Sequence, residues 1–113
     1  MENTFIIQKG YPIDPEDNRV EVEELHVHVL FKDPKLHTAL WEWLDNYPGT
    51  REGVQSYQYD KKSGVCTLDI AMPRDREDCR SAIDIVANGV YLYFVRNNES
   101  LENLNIKRVY PEL

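Results

Sequence analysis

Leu25-His26-Val27-His28-Val29-Leu30-Phe31, followed at once by Lys32-Asp33-Pro34, decides how the chain is read. Strict alternation puts Leu25, Val27, Val29 and Phe31 on one side of a strand and His26, His28 and Leu30 on the other. Asp33 then offers a capping carboxylate, and Pro34 suits the first helical position. Leu36, Leu40, Trp43, Leu44 and Tyr47 recur at helical spacing until Pro48-Gly49, which predicts a helix over 34–47. Trp41 lies off that stripe and is expected at the surface or against a neighbouring loop. Upstream, Val20 and Val22 have the opposite parity to Leu25. Either the strand slips near Glu23-Glu24, as at a β-bulge, or this acidic start lies outside the sheet.

Downstream, 54–60 and 65–72 flank Lys61-Lys62-Ser63-Gly64, and Cys66, Leu68, Ile70 and Met72 alternate with Thr67, Asp69 and Ala71, the pattern of a hairpin. Asp75, Glu77 and Asp78 suit a helix start, and Cys79, Ala82, Ile83 and Val86 form a stripe that ends at Asn88-Gly89. Val90-Tyr-Leu-Tyr-Phe-Val95 is aromatic and β-branched, so it is predicted as the fourth core strand. Outside this core, Thr4–Gln8 and Leu104–Tyr110 read as edge strands, and the prolines, Asp and Asn of 11–18 as a loop.

Strand, helix, strand, strand, helix, strand is the split βαβ order, with both helices on one face of a sheet. The expected fold is α+β: a ferredoxin-like βαββαβ two-layer sandwich with extra N- and C-terminal edge strands. Residues 1–113 are read as one domain, with 1–19 an extension and loop, 20–96 the core and 97–113 a C-terminal extension.

An apolar fraction of 42% against 29% charged describes a globular chain. No apolar run approaches the roughly 20 residues of a membrane-spanning helix, and no signal peptide opens the sequence, so a cytoplasmic protein is expected. Cys66 and Cys79 form no C-x-x-C pair and are read as reduced core residues. A net charge of −7, from 20 acids and 13 bases, disfavours nucleic acid as a partner.

No nucleophile elbow, phosphate-cradling glycine loop or metalloprotease helix motif is present; no catalytic residue is assigned, no cofactor is expected, and enzyme status stays open. His26 and His28, at i and i+2, could present two imidazoles to a metal, with His37, Asp69 or a tyrosine needed to complete the set, but the sequence fixes no third ligand and the pair also serves as polar filling. On the sheet face away from the helices, they are expected beside Tyr91 and Tyr93, with Tyr57 and Tyr59 as further candidates. Such a face would favour a homodimer, unless the terminal segments cover it. Asp14, Glu16, Asp17, Glu21, Glu23 and Glu24 crowd six acids around Arg19, a pattern of either a solvated loop or a surface that steers a basic partner.

Two functions follow as expectations. The first is a non-enzymatic regulatory or inhibitory protein that binds a partner protein, preferably basic, through Asp17, Glu21, Glu23, Glu24, Trp41, Tyr91 and Tyr93. The alternative is a small dimeric enzyme or metabolite- or metal-binding domain that uses the open sheet face near His26 and His28.

Overall fold

The alternation of Leu25–Phe31 sets one strand of a mixed sheet in the computed structural model, which describes residues 3–11, 13, 25–50, 53–73, 79–97 and 101–111. Among these, β1 (Asn3–Lys9), β2 (Leu25–Phe31), β3 (Val54–Asp60), β4 (Val65–Met72) and β5 (Leu104–Val109) form a five-stranded sheet in the order β3-β4-β2-β1-β5. β3, β4, β2 and β1 pair antiparallel in turn, while β5 runs parallel to β1. Two helices, α1 (His37–Asp45) and α2 (Cys79–Arg96), pack on one face, α1 toward β3 and β4 and α2 across β2, β1 and β5. The fold is thus α+β. No helix among the described residues is long and apolar enough to cross a membrane.

The capping expected at Asp33 is present: its carboxylate accepts from the Lys35 N–H at 3.0 Å, and one 3₁₀ turn over Pro34–Leu36 leads into α1. Between the layers, Val27, Val29, Leu40, Leu44, Leu68, Ile70, Ile83 and Val86 lose all solvent exposure. Phe5 of β1 joins the layers, stacked on Phe31 at 5.8 Å and edge-on to Phe94 of α2 at 5.4 Å.

Two expectations are corrected. The strand predicted over 90–95 is the second half of α2, because Val86, Val90, Tyr93 and Phe94 continue the buried stripe begun at Ala82 and Ile83. Packing of that stripe on the sheet outweighs the β-propensity of the individual residues. The second correction concerns β1, which is an interior strand between β2 and β5, with Phe5 and Ile7 buried in the core. It occupies the place beside β2 that the predicted fourth core strand would have filled. β5 is an edge strand, as expected.

Asn88-Gly89 does not stop α2, because Gly89 is where α1 comes closest. A Cβ at Gly89 would lie 3.0 Å from Leu44 Cδ2 and 3.3 Å from Tyr47 Cδ1, and the Gly89 carbonyl accepts from Trp43 Nε1–H at 2.8 Å. Gly89→Val should therefore wedge the helices apart and cost about 1–3 kcal/mol despite its better helix propensity. Urea unfolding of the two proteins checks this; an unchanged or higher midpoint would contradict the close approach.

Candidate functional site

β2 and β4 are registered so that His28 faces Asp69 and His26 faces Ala71, on the side of the sheet away from the helices. Asp69 Oδ1 lies 2.6 Å from His26 Nδ1 and 3.8 Å from His28 Nε2. With Asp69 as a carboxylate, His26 donates through Nδ1–H. The Tyr11 carbonyl can only accept, so His28 donates to it through Nε2–H at 2.6 Å. His26 and Asp69 are buried, and His28 is half-buried.

The chain leaving β1 covers this cluster. A Cβ on Gly10 would lie 2.2 Å from His28 Cδ2, so only glycine lets the backbone cross the imidazole at that distance. The Gly10 N–H donates to the His26 carbonyl at 2.8 Å, and further on Gln58 Nε2 of β3 donates to the Ile13 carbonyl at 3.3 Å. The segment thus passes over β2 toward β3, and the acidic stretch from Asp14 follows directly in sequence. Among the described residues, no three His, Cys, Asp or Glu side chains gather as a metal site.

Burial lowers the pKa of His28 below its ordinary 6.5; His26 adds to this, while Asp69 and the Tyr11 carbonyl oppose it without prevailing. The unfolded chain therefore binds this proton more readily than the folded one. Stability from His28 is full above pH 6.5 and is lost as pH falls from there toward the lowered folded value. Urea midpoints measured across that range should decline less in His28→Gln than in the unaltered protein. Parallel pH profiles would refute the burial of a neutral His28.

A second region lies on the helix layer. Of the six residues Val90–Val95, Val90, Tyr93 and Phe94 are buried, Leu92 is half-buried, and Tyr91 and Val95 stay exposed at 44% and 40%. Toward β5, Tyr91 shares a recess of ≈ 390 Å³ with Leu101, Leu104 and Ile106. Toward α1, Leu92 and Tyr93 face Trp43 and Tyr47 across a groove of ≈ 850 Å³, with Glu42 and Arg96 also on its walls. Both helices end at this groove in the same way. Asn46 Nδ2 donates to the Glu42 carbonyl at 2.9 Å, and Asn97 Nδ2 to the Tyr93 carbonyl at 2.8 Å.

The residues nominated from sequence do not converge. Asp17, Glu21, Glu23 and Glu24 lie outside the described residues. Trp41 is half-buried and edge-on to His37 at 5.8 Å; His37 in turn stacks on Tyr57 at 3.6 Å, along the β3 edge. Tyr91 sits by β5, the opposite edge. Tyr91 and Tyr93 belong to α2, so neither lies on the open sheet face, and Tyr93 is 8% exposed within the core. Tyr57 also points to the helix side, opposite Leu68, with its hydroxyl 3.4 Å from Cys66 Sγ. Burial and the bond to that thiol push the phenol up to about 12.

His26 and His28 do share the open face, as their parity requires. Of the candidates to join the pair, His37, Asp69 or a tyrosine, the structure brings Asp69 to it, an acid in an apolar strand at the parity of the free face, while His37 stacks on Tyr57 on the helix side. The groove residues Glu42, Trp43, Tyr47, Leu92 and Arg96 were missed because α2 was cut short at Gly89. Comparison with protein-family models, with curated proteins and with solved structures finds no match.

Proposed function

We propose that this protein acts by binding another protein, as a regulator or inhibitor without catalysis of its own, and that the outward face of α2 is the main contact surface. One observation carries this reading: six consecutive apolar residues in a helix supply more than one apolar face, and the core takes up only one. The surplus, Tyr91, Leu92 and Val95, meets solvent among the polar residues Asn88, Arg96 and Arg108, the pattern of an association surface.

The acidic stretch with Asp17, Glu21, Glu23 and Glu24, together with a net charge of −7, would steer a basic partner toward that face and repel nucleic acid. Cytoplasmic location belongs to the same reading. In the scaffold, setting β1 aside leaves the order β3-β4-β2-β5, that of a ferredoxin-like sandwich, so we read the sheet as that arrangement widened by one strand.

Affinity purification from the source cells at low salt tests the reading, with Tyr91→Ser/Val95→Ser beside the unaltered protein. The unaltered protein should retain a basic protein that elutes as salt rises. The double variant should lose it while unfolding within about 0.5 kcal/mol of the original per exposed site. Recovery of the same protein by both forms would overturn the assignment to α2.

A further inference from the structure

We infer that the groove between the C-terminal ends of α1 and α2 receives a cationic side chain, an arginine or lysine of the basic partner. This deepens the partner-binding reading and rests on it. The C-terminus of a helix carries a partial negative charge from its aligned peptide dipoles, and two such ends meet here. α1 has no basic side chain in its last turn to offset that charge, and Glu42 adds an acidic side chain on the same wall. Trp43, Tyr47 and Tyr93 line the groove, and aromatic rings attract guanidinium and ammonium groups over their faces. Asn46 and Asn97 each give one amide hydrogen to a helix-end carbonyl, which ties down the carboxamide, and the carboxamide oxygen of each is an acceptor suited to a cation.

Among the described residues Arg96 is the one cation of the lining. It is exposed in the last turn of α2, where it sits on the same helix-end charge that an incoming cation would use. It therefore competes with the occupant. An apolar occupant would be indifferent to both Glu42 and Arg96, whereas a cationic one feels them with opposite sign.

Trp43 provides the readout, since its indole N–H is fixed on the Gly89 carbonyl beside the groove, while Trp41 packs against His37 and serves as an internal reference. The probe is N-acetyl-arginine-N-methylamide, with the neutral citrulline analogue as control, titrated into the full chain while the two indole N–H resonances are followed. The arginine probe should shift Trp43 saturably in the millimolar range and leave Trp41 in place; the citrulline analogue should bind more weakly. Glu42→Gln should weaken the arginine probe about threefold or more, and Arg96→Gln should strengthen it, because removing an attractive or a repulsive unit charge changes the same Coulomb interaction in opposite directions. Both residues are exposed, so both variants should fold.

Equal affinity for the two probes, no saturable shift of Trp43, or effects of the same sign from the two variants would overturn the assignment. Because no partner enters this measurement, the groove can fail while capture through Tyr91 and Val95 succeeds; the reverse outcome removes the partner and leaves only a groove that accepts a cationic side chain.

Discussion

At Gly89 the absence of a side chain lets Leu44 and Tyr47 of α1 come against the backbone of α2, and the carbonyl exposed there holds the indole of Trp43. The rest of the helix layer follows from that approach. With the two helices in contact at this level, their C-terminal turns stand on either side of a groove instead of closing over it. The buried stripe of α2 keeps its register on Phe5 and the sheet through Phe94. One extra methyl at this crossing would have to be accommodated by Leu44, which is fully buried in the close-packed core.

The open face of the sheet obeys a different rule. Burying a carboxylate costs several kcal/mol unless it is hydrogen-bonded or paired, and Asp69 meets that requirement with His26 and a nearby His28. His28 is itself tied to the Tyr11 carbonyl, so the polar cluster and the segment that covers it depend on each other. The two faces of β2 thus hold the molecule together by separate means: close apolar packing toward the helices, and a short chain of directional bonds toward Gly10–Ile13.

Period two was legible wherever a strand has one wet and one dry face. Leu25–Phe31 and Val65–Met72 could be sorted residue by residue, and the proline after Asp33 marked the approach to α1 correctly. The reading failed where local chemistry and tertiary packing disagree. Val90–Val95 is β-prone in isolation, and Asn88-Gly89 resembles a helix stop, yet the 3.6-residue stripe from Ala82 to Phe94 runs straight through both. That longer period was the available signal. The interior position of β1 could not be read at all, because alternation gives the faces of a strand but not its neighbours. The same limit hid the groove: Glu42 and Trp43 are remote in sequence from Leu92 and Arg96, and only the helix crossing unites them.

The parallel pairing of β1 with β5 bears on the order in which the fold can assemble. Asn3 is registered with Leu104 and Gln8 with Val109, so the contacts that complete the sheet join segments almost the whole described sequence apart. Closing so long a loop costs entropy before any contact offsets it, and chains rich in such pairings fold slowly. During synthesis β1 emerges first and can pair with β2, but its other edge stays unpaired until β5 leaves the ribosome. Its hydrogen-bonding groups on that side are exposed for that interval, the period of greatest risk for pairing with the wrong chain.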